Sequence, residues 1–137
     1  MHYTESSMKK FILIILALYL VGCQSSSPQV KPFYSSNIVE IKADELSNYW
    51  VLNTSKVQLV KRRPTWLPKG QGEWTVLTVI DSNGNVIEKT LVSSKPKGFM
   101  TQSKVDDMPI TTFEPAPSNQ NRVPVKFYSK AKIGQIN

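Results

Sequence analysis

The sequence predicts an α+β fold, and three observations carry that prediction. The first is a hairpin: a run dense in β-branched and aromatic residues, Trp74-Thr75-Val76-Leu77-Thr78-Val79-Ile80, then the turn Asp81-Ser82-Asn83-Gly84-Asn85, then a returning strand from Val86 to Val92. The second is that both faces of the first strand are apolar. Trp74, Val76, Thr78 and Ile80 lie on one face and Leu77 and Val79 on the other, so at least one face needs a cover. The third is a segment able to supply it. Between Phe99 and Met108, the residues Met100, Val105 and Met108 fall on one side of a helix.

Taken in chain order, ordered structure is expected from about Asn37. Ile38, Val39 and Ile41 read as a short strand, and Asp44 as the cap of a short helix reaching Tyr49 or Trp50, its carboxylate accepting free backbone N–H groups. Val57 to Lys61 reads as a second extended run. Pro64 and Pro68 forbid regular helix around Thr65-Trp66-Leu67, because each lacks an N–H and restricts the residue before it. Trp66 and Leu67 are therefore expected to clamp the edge of a core. In the hairpin turn Gly84, with Asn83 as a second candidate, is free to take positive φ. Thr101, Ser103 and two aspartates are poor helix formers, and Pro109 ends the covering segment. Phe113-Glu114-Pro115-Ala116-Pro117 then leads through a polar loop to Val123-Pro124-Val125-Lys126-Phe127-Tyr128. There Val123, Val125 and Phe127 share a face, and Pro124 marks an edge strand because it cannot donate to a ladder.

The N-terminal part of the chain carries a different message. Met8-Lys9-Lys10 precedes an eleven-residue apolar stretch, Phe11 to Val21, which ends in Leu20-Val21-Gly22-Cys23. A basic start, a short apolar run and small residues at the cut describe an export signal. At about 1.5 Å per helical residue the run covers only about 16 Å, against about 30 Å for a bilayer core. Met8 is the expected start, since His2 to Ser7 have no role in such a signal. Leu20 to Cys23 resembles the lipobox of bacterial lipoproteins. That resemblance implies cleavage before Cys23, the only cysteine, and lipid on its sulfur and new amine, palmitate among the expected chains. Each buried CH₂ contributes about 0.8 kcal/mol, so two or three chains form a lasting membrane anchor. Gln24 stands where an aspartate commonly retains lipoproteins in the inner membrane, which points to the periplasmic face of the outer membrane. Gln24 to Gln29 is polar and reads as tether.

These readings divide the chain into a signal peptide (1–22), a lipidated tether (23–36), an extension packing on or near the domain (37–63) and a C-terminal domain (64–137). Processing removes Glu5, Lys9, Lys10 and the only histidine, His2, so the formal net charge of +7 falls by one. Roughly 115 residues remain, enough for one small domain. The basic balance suits anionic neighbours: lipid headgroups, an acidic partner or cell-wall carboxylates. An exported, tethered chain does not meet nucleic acid, and Lys61-Arg62-Arg63 reads as a solvated face.

The order strand, tight turn, strand, helix, Phe-x-Pro-Ala, strand resembles the C-terminal domain of TonB, the periplasmic energy-transducer family, over about Pro64 to Ile133. The matching pieces are the upstream prolines with Gly72, Val76-Leu77-Thr78-Val79-Ile80-Asp81 with Gly84-Asn85-Val86, Phe113-Glu114-Pro115-Ala116, and Val123-Pro124-Val125-Lys126-Phe127. The resemblance implies a small antiparallel β-sheet with one helix packed across a face. It also implies partner binding by strand addition at the closing strand, here Arg122, Val123, Val125, Lys126, Phe127 and Tyr128. Expected partners are an outer-membrane protein or another component of a TonB transport system, with a homodimer by strand exchange left open. The same edge can instead pair with Ile38 to Ile41. A proline at Val125 or Phe127 is expected to abolish a strand-edge complex. The lipobox replaces the family's membrane helix and the tether is short, so energy transduction is not expected.

Two other classes compete with a binding module. Without histidine or free thiol the mature chain lacks the commonest base, metal ligand and soft nucleophile, so no enzyme, metal or cofactor is expected. Asp106-Asp107 are neighbours on a helix and point about 100° apart. Asp81, Asn83 and Asn85 lack the glutamate a calcium loop needs and read as turn chemistry. The remaining class is a structural lipoprotein touching peptidoglycan or other envelope proteins, with Tyr34, Tyr49, Trp50 and Trp66 as aromatic contacts.

Overall fold

The computed structural model describes residues 30–56 and 61–134. The fold is α+β: small sheets with a few short helices. The main sheet is mixed, in the order β1 (Val39–Glu40), β6 (Val125–Ile133), β3 (Gly72–Ile80), β4 (Val86–Lys95). β3 is antiparallel to both neighbours, whereas β1 joins β6 in parallel. A second, two-stranded sheet pairs β2 (Trp50–Leu52) with β5 (Phe113–Pro115). The family resemblance implied neither this second sheet nor the parallel strand; both come from the N-terminal extension.

The hairpin forms as its residues dictate, with β4 running three residues beyond Val92. Gly84 takes φ 80°, and a Cβ there would lie 2.0 Å from the Phe113 carbonyl oxygen, so no other residue fits. The Asp81 side chain holds the turn. It is fully buried, its Oδ1 accepts the N–H groups of Asn83 (3.0 Å) and Asn85 (2.9 Å), and its Oδ2 accepts that of Phe33 (3.1 Å). This is turn chemistry that also fastens the N-terminal segment. Ser82 N–H donates to the Phe33 carbonyl (2.8 Å), and Ser35 N–H to Ser82 Oγ (2.9 Å). The chain is thus tied to the domain from Phe33, four residues before the expected start of order.

Two core clusters lie on the face of β3 that carries Trp74, Val76 and Ile80. At the turn end Ile41, Trp50, Ile80, Val125 and Phe127 pack together. At the far end Trp74, Val76, Met100 and Val105 do so, with Trp66, Leu67, Phe99 and Met108 against them. The covering helix is shorter than expected. It is only Gln102–Asp106 (α2), capped by the Thr101 side chain accepting from Lys104 N–H, because Pro109 and the weak formers before it allow no more. Near the N-terminus a 3₁₀ turn, Ala43–Glu45, runs into a four-residue helix, Leu46–Tyr49 (α1). Asp44 is inside that turn rather than its cap; the capping carboxylate is Glu45, which accepts from Lys42 N–H (2.9 Å). Trp50 begins a strand rather than ending the helix. The expected run Val57 to Lys61 lies mostly outside the described residues.

Candidate functional site: the outer edge of strand β6

β6 crosses the whole sheet, and its outer edge has two unlike parts. From Val125 to Lys126 it is taken by β1: Val39 N–H donates to the Pro124 carbonyl (2.9 Å) and Ile41 N–H to the Lys126 carbonyl (3.0 Å). A Lys126–Glu40 ion pair at 3.2 Å spans the same joint. Because Lys126 turns its carbonyl outward, the alternate residues Tyr128, Lys130 and Lys132 turn their N–H and C=O groups the same way. Among the described residues no strand pairs with these groups. Among the described residues the unpaired edge therefore runs from Tyr128 to Lys132, about 13 Å at 3.3 Å per residue.

This placement decides what each expected site residue can do. Val125 and Phe127 are core, 0% and 7% exposed, and their amides face β3. Val123 gives its N–H to Asn119 Oδ1 (2.9 Å), and its carbonyl accepts the Trp50 indole N–H (3.0 Å). Pro124 is fully buried and precedes the strand rather than interrupting it. Arg122 sits at φ 52° in a turn closed by its N–H on the Asn119 carbonyl (3.0 Å), with its own carbonyl accepting from Ser35 Oγ. Only Tyr128, 45% exposed, offers both side chain and main chain to solvent. The expected edge from Val123 to Lys126 is thus filled by β1, Trp50 and Asn119. Two residues outside the expected set, Lys130 and Lys132, continue the outward-facing row past Tyr128. The signal that locates them is the Lys130-Ala131-Lys132-Ile133 alternation. Cys23, the expected lipidation site, lies outside the described residues.

The sheet's other edge is closed differently. Gln102 of α2 uses its side-chain amide as a strand uses its backbone: Oε1 accepts the Leu91 N–H (2.7 Å) and Nε2 donates to the Lys89 carbonyl (2.8 Å). Its Nε2 also reaches Asp106 Oδ1 (2.8 Å), so that aspartate serves an edge plug.

Charge divides the molecule along the same axis. At the far end Lys61, Arg62, Arg63 and Lys69 lead into β3, Lys95 and Lys97 leave β4, and Lys130 and Lys132 end β6. All eight are exposed, and Glu73 is the single acid in segments 61–73, 93–98 and 129–134. Hydrogen bonding from Lys130 (3.0 Å), helped by the charges of Lys130, Lys95 and Lys132, holds the Glu73 carboxyl below its usual 4.5. Segments 30–56, 81–90 and 110–128 carry six acids against six bases. Lys89, whose Nζ donates to the Met108 carbonyl (3.1 Å), is pushed below its usual value by burial, partly offset by Asp106. Among the described residues no three His, Cys, Asp or Glu side chains gather as metal ligands. No family model, curated protein or solved structure matches this chain.

Proposed function

We propose that the chain is a lipid-anchored binding module of the cell envelope, held by Cys23 at the periplasmic face of the outer membrane, that engages a partner segment by strand addition without transducing energy or catalysing a reaction. The observation that carries this reading is the row of outward peptide groups at Tyr128, Lys130 and Lys132, which a partner strand can satisfy at little entropic cost because β6 is already ordered by β3. The lipobox-like Leu20 to Cys23 supports the anchor, and the order of strands, turn and helix that resembles the TonB C-terminal domain supports the binding mode. An envelope protein fits this edge, as does a second copy of the chain pairing edge to edge.

The test is a crosslinked pull-down from envelope membranes with the wild-type chain, Cys23→Ala and Tyr128→Pro. Proline at Tyr128 removes an outward donor and leaves the β3 ladder intact, whereas proline at Val125 or Phe127 strikes an amide facing β3 and damages the sheet itself. A defined envelope protein, recovered by the wild type and lost with both variants, is the expected result. Equal recovery with a folded Tyr128→Pro chain would sink strand addition. The same membranes, labelled with a palmitate analogue, read the anchor independently. The runner-up, a structural lipoprotein touching peptidoglycan, is favoured by the basic far end.

A further inference from the structure

The basic end of the sheet is a feature the strand-edge reading leaves unused, and its position relative to the tether decides what it can meet. The N-terminal segment is fastened at the turn end, through Phe33 and Ser35 on Asp81 and Ser82. β3 then runs eight residue steps away from that point, about 26 Å, to reach Gly72. The large apolar side chains exposed near the fastening, Val30, Phe33, Tyr34, Ile38 and Val39, suit a bilayer surface. In the three basic segments none of the large exposed hydrophobic residues occurs. Trp66 in the first segment and Phe99 just past the second are partly buried and pack against the core cluster. What these three segments present is cationic charge on flexible stems, with one carboxylate that Lys130 already occupies.

We propose that this end, through Arg62, Lys69, Lys95, Lys97, Lys130 and Lys132, binds the carboxylates of an anionic cell-wall polymer, the peptide stems of peptidoglycan. The site faces away from the anchoring bilayer. Nine tether residues between Cys23 and Phe33 extend at most about 30 Å, so the lysines stand up to roughly 55 Å from the lipid headgroups. Carboxylates spaced along a polymer recruit several lysines at once, and no single pocket is needed. The proposal rests on the export reading, which brings the chain to the wall, and not on strand addition.

The experiment pellets purified peptidoglycan sacculi with the full chain held in nonionic detergent. The bound fraction is expected to fall about tenfold between about 0.05 and about 0.5 M NaCl, and on sacculi whose carboxylates have been amidated it is expected to fall as far. The triple variant Lys69→Gln/Lys97→Gln/Lys132→Gln removes exposed charges outside the Lys130–Glu73 pair and is expected to lose about tenfold. Its partner, Lys31→Gln/Lys42→Gln/Arg122→Gln, removes the same charge from the turn end and is expected to bind like wild type. Equal losses in the two variants, or undiminished binding to amidated sacculi, overturn the proposal. So does preferential capture by duplex DNA or by phosphatidylglycerol vesicles in competition, which would make the ligand a general polyanion or a lipid surface. Tyr128→Pro keeps every lysine, so loss of partner recovery with retained sacculus binding separates the two sites.

Discussion

The two ends of the sheet share one set of strands and differ in nearly everything built on them. At the turn end the outer edge of β6 is filled by β1, acids and bases balance, and the buried polar groups Asp81, Ser82 and Asn119 all find partners. At the far end the edge is open among the described residues, Glu73 is the single acid in the three basic segments, and the core is closed by a single five-residue helix. The difference teaches where rigidity and availability are placed. The N-terminal extension spends its strand, its tryptophan and its hydrogen bonds on the turn end, so that end is sealed. The far end is left with exposed lysines and with peptide groups that no described strand pairs.

The largest expected effect that tests this contrast is Trp50→Ala. The side chain is 1% exposed and its indole N–H holds the Val123 carbonyl, so the loss is expected at about 3–5 kcal/mol in urea unfolding. Val105→Ala at the far end is expected at about 2 kcal/mol, and a reversed ranking would break the picture of a sealed turn end. Next comes Asp81→Ala. Three backbone N–H groups lose their acceptor, at a cost of about 2–3 kcal/mol, and amide exchange at Phe33 should quicken while exchange at Trp74 does not.

Smaller effects probe the edges. Val39→Pro removes the donor to the Pro124 carbonyl, costs about 1 kcal/mol, and loosens the seat of β1 on the edge of β6. Partner recovery that rises in this variant sharpens the edge reading. Gln102→Ala, at about 0.5–1 kcal/mol, unplugs the opposite edge, and faster exchange of the Leu91 amide is the readout. The smallest effect is electrostatic. Glu73 titrates below its ordinary 4.5 because Lys130 bonds its charged form. That stabilisation is complete above the unfolded value and is lost as pH falls through the lower folded one. In Lys130→Ala the Glu73 carboxyl should move back up toward 4.5 by NMR titration. An unmoved midpoint would mean that Lys95 and Lys132 set the local field.

Much of the fold was legible because its signals are local. The hairpin follows from β-branched density around Gly84, and the face of Trp74, Val76 and Ile80 from the period-two alternation. Trp66 and Leu67 were rightly expected at a core edge, since two prolines left them nowhere else to pack. What escaped was non-local. The pairing of Ile38 to Ile41 with the closing strand is one of two alternatives the sequence offers, but nothing in Val39-Glu40 selects it or its parallel direction, and nothing in Trp50-Val51-Leu52 says that Phe113 to Pro115 will join it. The candidate edge shifts for the same reason: local signals identify its strand and offer Ile38 to Ile41 as one possible neighbour, but only the packed sheet selects that neighbour and so moves the outward groups on to Tyr128 and beyond.

By itself the sequence determined the elements and the charge: the strands of the hairpin, the turn that only Gly84 can make, and the weak short helix. Tertiary structure alone decided which edge is sealed, which amides of β6 face outward, and that eight scattered basic residues gather at one end. Periodicity and turn chemistry act over a few residues, so they can be read from neighbours in the chain. Strand pairing and charge clustering join residues that are distant in sequence, and only the packed core selects among the many pairings that local preference permits.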